Sequence, residues 1–470
     1  MQEDNFSEEL KTNIKTLTQC EWVREEFKNA LFGDRRLYLR LLVVAEHLAR
    51  HPEAPISQAN EVWKKTKAAY RFFDNKKATP EVILAPHVLK TFERISLQSD
   101  EVLIAQDTSF LNYSHMVSST DLGPIGDLGQ STMGLVMHTS LAVTLSGLSL
   151  GIIDQQIWVR PVEEHGKAKD RSKKPIEEKE SFKWLKALRQ YSLFHPTKKV
   201  ITVCDRESDI YDFFSDAARL NAQVVVRAKH DRNLEEEGKK LWEFMEQRSI
   251  ATTDAFLVQR QPGRPERTTK IQIRFAPVVF TYPKDRPKGD KLPSLSLFAV
   301  YVTEIDPPQD GSPISWMLLT NIPTTTLADA RKCIQRYKQR WQIEILHRIV
   351  KSGCRIEDAR LEKNHRRIPY ITLCCIIAWK LLQITHYSRI SPQEPATALL
   401  SQTECDVLYS VTHSTLVQQH SFNMQKATQW LAQLGGFMGR KSDKFPGPTH
   451  VWRGWQRLQD FTHMHTLSRL

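Results

Sequence analysis

Three strand-like runs, each reaching charged residues, constrain this chain most. They lie in EVLIAQDTSFLNYS, KKVITVCDRESD and AQVVVRAKH. Short runs rich in Val and Ile between polar breaks read as strands. The first reaches a polar tip at Asp107. The second ends at Cys204-Asp205, and a helix follows through Ile210–Leu220. GLVMHTSLAVTLSG and LSLGIIDQQIWVRP add two candidate strands, and a helix is expected around Phe182–Tyr191. Strands alternating with helices, with acids where strands end, describe an α/β sheet carrying a site along one edge.

The flanks differ. Residues 1–95 read as short helices with scattered cations, in LRLLVVAEHLARH and TKAAYRFFDN. Such a segment fits a DNA-binding module or an ordinary helical cap. Residues 231–320 read as a mainly β insertion, through QIRFAPVVF and LSLFAVYVTEI, and the chain turns helical again beyond about 360. A Gly-rich, mobile-looking stretch, DLGPIGDLGQSTMG, separates the first two strands, and a charged segment, EEHGKAKDRSKKPIEEKESF, is expected as a surface excursion. The expected organisation is a helical unit over 1–95, an α/β unit over 96–365 and a helical unit over 366–470. Three units suit 470 residues.

The net charge of +12 is spread along the chain, which points to a polyanionic partner, nucleic acid first. The seven cysteines are scattered, with no Cys-x-x-Cys pair, arguing against a disulfide framework or zinc ribbon and for a reducing cytoplasm. The most apolar run, Ile368–Ile384, is shorter than a membrane span needs and contains Lys380, so it is expected as a buried core helix, with no membrane partner.

One further segment, LADARKCIQRYKQRWQIEILHRIVKS over 327–352, is expected as a single helix. Tyr337, Arg340, Glu344 and Lys351 then fall within an arc of about 60°. A carboxylate flanked by cations suits a metal ion beside a phosphate; alone, the face also fits solvated i,i+4 pairing of Arg340 with Glu344. Asp107 and Asp205 supply Glu344 with partners. Carboxylates gathered from separate elements are what two-metal phosphodiester cleavage needs, and hard Mg²⁺ prefers oxygen. Asp, Asp, Glu across strand, strand and helix is the order a ribonuclease H-like nuclease requires.

The spacing Y-x2-R-x3-E-x6-K in Tyr337–Lys351 resembles the hallmark of the insertion-sequence-four family of DDE transposases, on the branch that includes the transposon-five transposase. The resemblance extends through QDTSFLNYSH, VCDRESDI, VVVRAKH, EIDPPQDGSPISWMLLT, RYKQRWQIEILH and LAQLGGFMGRK, with GDRRLYLRL and AYRFF near the start. It implies a ribonuclease H-like catalytic core with a β-rich insertion, flanked by an N-terminal DNA-end-binding unit and a C-terminal dimerisation unit. It implies that Asp107, Asp205 and Glu344 hold two Mg²⁺ ions, with Mn²⁺ as a substitute. Tyr337, Arg340 and Lys351 would grip a DNA phosphate, Arg as a planar fork and Lys as a point charge. Trp316, with Trp341 on the other side, would stack a flipped base. Arg227 and Lys229 would touch DNA near the cleavage point, and Arg40, Arg50 and Arg71 would contact the transposon end.

The implied activity is cut-and-paste transposition in a bacterial cytoplasm, at the nucleoid. A homodimer brings two transposon ends together, cleaves them through a hairpin, and joins the 3′-hydroxyl strand to target DNA; residues 425–462 match the dimerisation segment. A catalytically silent DNA-binding inhibitor and a general ribonuclease H-like nuclease are the alternatives. Leu37 and His51 depart from a basic residue and a tyrosine in the family pattern, so the end sequence recognised is expected to differ. The acidic Gln2–Glu9 start is expected to weaken DNA binding.

Overall fold

The computed structural model describes residues 20–468, apart from 61, 117–118, 127–130, 165–173, 194–198, 237, 259–265, 283–292, 308–312, 416–420, 441–442 and 444. The acidic Gln2–Glu9 start lies outside the described residues, as do parts of the Gly-rich stretch and the charged excursion. Among the described residues five helices come first: α1 (Glu21–Glu26), α2 (Arg35–Arg50), α3 (Ile56–Ala59), α4 (Trp63–Phe73) and α5 (Pro80–Ser96). Asp34 caps α2 by accepting from the Arg36 amide, and Thr79 caps α5 through the Val82 amide.

A ten-stranded mixed sheet follows. Its strands are β1 (Val102–Asn112), β2 (Gly123–Pro124), β3 (Met133–Thr144), β4 (Ser149–Trp158), β5 (Val200–Cys204), β6 (Gln223–Arg227), β7 (Thr252–Val258), β8 (Arg267–Phe280), β9 (Leu295–Glu304) and β10 (Ser315–Thr320). The order runs β4-β3-β1-β5-β6-β10-β9-β8-β7, with β2 also on β3. β1, β5 and β6 are parallel neighbours, and the other pairings are antiparallel. The β-rich 231–320 stretch thus continues the main sheet, because β10 pairs with β6.

Side chains alternate between the faces of a strand, and here both faces are buried. Leu103, Ala105, Ile201, Val203, Val225 and Leu318 enter one core. Val102, Ile104, Cys204, Val224, Val226 and Leu319 enter the other, covered by α6 (Phe182–Ser192), α7 (Tyr211–Arg219) and α8 (Leu241–Glu246). The same parity assigns Asp107, Asp205, Arg227 and Trp316 to the first face.

The segment expected as one helix over 327–352 is not one helix. It divides into α9 (Leu327–Lys338), α10 (Trp341–Arg348) and a π-helical turn over Ile349–Gly353. Between α9 and α10 the backbone tightens to three-residue bonds: the Arg340 amide donates to Tyr337 O at 3.1 Å and the Ile343 amide to Arg340 O at 3.2 Å. The π turn closes with the Cys354 amide donating to Ile349 O at 2.9 Å.

The apolar run at 368–384 sits inside a longer helix than expected, α11 (Asn364–Ile390), of 27 residues. It is long and apolar enough to cross a membrane, but 94% of its most apolar stretch is buried within the fold. α11 packs against α2, α4, α5, β4 and α10, and against the C-terminal helices α13 (Met424–Leu434) and α14 (Pro448–Leu467); α12 (Gln402–His413) packs on α13 and α14. All seven cysteines are buried thiols.

α13 and α14 cross backbone to backbone. A Cβ on Gly454 would stand 1.6 Å from Leu431 O, and one on Gly435 1.9 Å from His450 O. α14 also docks on α2, where Trp455 Nε1 donates to Ala49 O at 3.1 Å. Val451, Trp455 and Leu458, within the segment expected to dimerise, are buried inside the chain.

Candidate active site

Asp107 does not end its strand. It lies in the middle of β1, because β3 accompanies β1 over its whole length. The parallel partner β5 pairs only as far as Ala105 opposite Val203, so Asp107 stands just past the end of that ladder. Asp205 follows β5 directly and is level with it. There Asp205 caps a 3₁₀ turn over Arg206–Ser208, accepting from the Glu207 amide at 2.9 Å. Glu344 comes from α10, which covers the same sheet face.

Arg340 joins the acids. Its guanidinium pairs with Glu344 and lies 3.6 Å from Asp107 Oδ2. Burial drives the Asp107 carboxyl up to about 7; the negative charges of Asp205 and Glu344 add to this, and Arg340 opposes it. Burial also raises Asp205. Burial alone would lower Arg340, but Tyr337 and the three acids overturn it, so the guanidinium holds its proton more firmly than usual. Acids forced toward neutrality by burial and mutual repulsion mark a candidate catalytic or cation site.

An all-oxygen donor set fits Mg²⁺ or Mn²⁺ rather than zinc. As placed, no three acidic, histidine or cysteine side chains among the described residues form a ready cation cage. Arg340 reaches into the space between Asp107 and Glu344.

Tyr337 is buried against Trp316, with rings 5.0 Å apart at 69°. Trp316 also meets Phe256 edge-on at 5.4 Å and 85°. It is a half-buried ring held between two others on β10. Arg227, level with Asp205, lies beside Tyr337 and donates from Nη2 to Ser315 O at 2.8 Å. Trp341 is half-buried against the core. Lys351 lies on the π turn, where Nζ donates to Phe110 O and stands 3.7 Å from Glu357. Asp107, Asp205, Glu344 and Arg340 are therefore gathered, with Tyr337, Trp316 and Arg227 contiguous. Lys229 is exposed just beyond β6.

Arg40, Arg50 and Arg71 are on α2 and α4, elements separate from the acids. Arg71 is exposed, Arg40 is half-buried, and Arg50 pairs with Glu46 one turn away. Leu37 packs on the core, and His51 faces Asp460 of α14 at 3.5 Å.

Sequence reasoning missed His347. Its Nδ1 is 3.9 Å from Asp107 Oδ2, and its buried Nε2 has no hydrogen-bond partner among the described residues. Burial, then Lys351 and Arg340, hold its pKa down to about 3, so the ring is neutral. The available signal was its position three residues after Glu344, on the same helix face.

Residues 19–78 match the family described as transposase DNA-binding, and residues 151–379 match the transposase DDE domain. Together the matches span well over half of the chain; the second includes Asp205 and Glu344 and begins after Asp107. The chain carries the DNA-binding and DDE domains of a DNA transposase. It is also similar to a solved structure, the cryo-EM structure of piggyBac transposase synaptic complex with hairpin DNA. That alignment covers 78% of this chain and 54% of the other, at 9% identity and a TM-score of 0.30. The chain thus spans about half the length of that transposase.

Proposed function

We propose that this chain is a cut-and-paste DNA transposase of the insertion-sequence-four type, with a ribonuclease H-like core formed by β4-β3-β1-β5-β6. The observation that carries the proposal is that Arg340 pairs with Glu344 and lies 3.6 Å from Asp107, while Asp205 stands level with Asp107 at the end of the β1–β5 ladder. Asp107, Asp205 and Glu344 would hold two Mg²⁺ ions, with Mn²⁺ as a substitute. When bound, the ions supply Lewis-acid activation of an attacking oxygen and neutralise charge on the phosphate.

The chain's own residues do the rest. Arg340 exchanges its carboxylate partners for a DNA phosphate, where a planar fork can donate twice. Tyr337 and Lys351 hold the same backbone, and Arg227 keeps Tyr337 in place. Trp316 and Trp341 offer aromatic faces to a flipped base, which offsets the cost of unstacking. The helices around Arg40, Arg50 and Arg71 engage the transposon end, and 425–462 joins two copies, with Met438 and Phe461 exposed. Successive steps at this site would nick one strand, form and reopen a hairpin, and join the 3′-hydroxyl to target DNA.

The test is incubation with Mg²⁺ and linear DNA bearing the element's ends. End-specific cleavage with hairpin products supports the proposal. Binding without cleavage favours an inhibitor, and cleavage indifferent to end sequence favours a general nuclease.

A further inference from the structure

Asp209 is 2% exposed, four residues beyond Asp205. A carboxylate removed from water is costly unless hydrogen bonds and a counter-charge replace its hydration. Asp209 has both. Its Oδ2 accepts from the Lys229 amide at 2.7 Å and the His230 amide at 2.8 Å. Its Oδ1 pairs with Arg232 Nη1, and Arg232 Nη2 donates to the Asp209 carbonyl at 2.8 Å.

These bonds tie two loops together: the turn after β5, which carries Asp205, and the segment after β6, which carries Lys229 and His230. The register sets Cys204 opposite Val226, so Arg227 is level with Asp205 and Lys229 projects two residues beyond it. The Lys229 and His230 side chains are exposed, while their amides are fixed from below. A purely structural clamp would secure a loop of any composition. This one secures a cation at the edge where Asp205 emerges.

We infer that Asp209 is a positioning residue, whose buried carboxylate holds the Lys229–His230 loop so that Lys229 meets DNA phosphate beside Asp205. This rests on the reading above that DNA occupies this edge. Arg232 completes the clamp by neutralising Asp209, and its removal loosens the same loop while leaving both backbone bonds in place.

The experiment is a double-mutant cycle on DNA affinity across a salt series. The full chain, Asp209→Asn, Lys229→Ala and the double variant are titrated against a labelled duplex from the end of the element. Each single change should weaken binding by about 3- to 10-fold and reduce the slope of log affinity against log salt by about 0.9, the loss of one phosphate contact. The double variant should bind no more weakly than Lys229→Ala, because coupled residues are not additive. Additive losses overturn the inference, as does a normal affinity for Asp209→Asn when Lys229→Ala is weakened. Should Asp209→Asn fail to fold, Arg232→Gln replaces it and must show the same non-additivity. Absence of salt-dependent binding by the unaltered chain would instead overturn the DNA reading itself.

Discussion

The Arg340 guanidinium lies 3.6 Å from the Asp107 carboxylate while it pairs with Glu344 four residues on. One cation thus offsets the repulsion of carboxylates brought from β1, the β5 turn and α10. The tightened turn between α9 and α10 sets this up, because it carries Arg340 at the junction with Glu344 one turn further along. A phosphate offers the same guanidinium an equally good partner, so the arrangement suits a site that receives DNA.

The raised Asp107 carboxyl makes stability depend on pH. Its folded value of about 7 lies above the ordinary carboxylate value. The folded chain therefore retains a proton that the unfolded chain releases, and stability falls as pH rises from about 4 to 7. In divalent-free buffer, Asp107→Asn should remove a penalty on the order of 3 kcal/mol at pH 8. Its Tm should exceed that of the unaltered chain at pH 8, and the gap should close towards pH 4. A gap independent of pH would contradict this.

Glu26 acts with the opposite sign. Burial would raise its pKa, but the His87 hydrogen bond and the Arg94 guanidinium overcome burial and hold it below the usual carboxylate range. The Ile152 amide donates to His87 Nε2 at 2.8 Å, so the ring is neutral and Nδ1–H faces Glu26. Stability from this cluster is present above the unfolded carboxylate pKa and is lost as pH falls below it. Glu26→Gln should cost about 3 kcal/mol at pH 7, measured by urea denaturation, and progressively less below pH 4.

Trp316 offers a separation of steps. Trp316→Ala removes the ring between Phe256 and Tyr337 but leaves the three acids. Nicking of an end substrate should survive better than hairpin formation, and Trp316→Phe should restore part of the hairpin yield. Equal loss of both steps would argue against base stacking.

The α13–α14 crossing admits no side chain at Gly454. Gly454→Ala should force the helices apart and lower stability by at least about 2 kcal/mol. Thermal melts of the variant against Gly447→Ala, where a Cβ meets nothing within 4 Å and φ is −78°, check the cause.

Legibility in the sequence followed local pattern. Apolar runs reaching Asp107 and ending at Asp205 marked β1 and β5, because alternation and β-branching are local properties. That Asp107 lies mid-strand was not legible, since it depends on the length of β3. The break at Arg340 was hidden because Gln, Arg and Trp all tolerate helix. β7 (TTDAFLV) and β10 (SWMLLT) lack the Val/Ile runs that marked β5 and β6, yet β10 carries Trp316. Asp209 acquires its role only from tertiary neighbours, which spacing does not reveal.

The central claim is that Asp107, Asp205 and Glu344 form one catalytic site. Cleavage of element-end DNA with Mg²⁺ should be measured for Asp107→Asn, Asp205→Asn, Glu344→Gln and a double variant, with DNA affinity measured alongside. Each single change should reduce cleavage by roughly 10³-fold or more while end binding persists, with the double variant scarcely worse, as for groups acting as a unit. Cleavage by any single variant near the unaltered rate would contradict it.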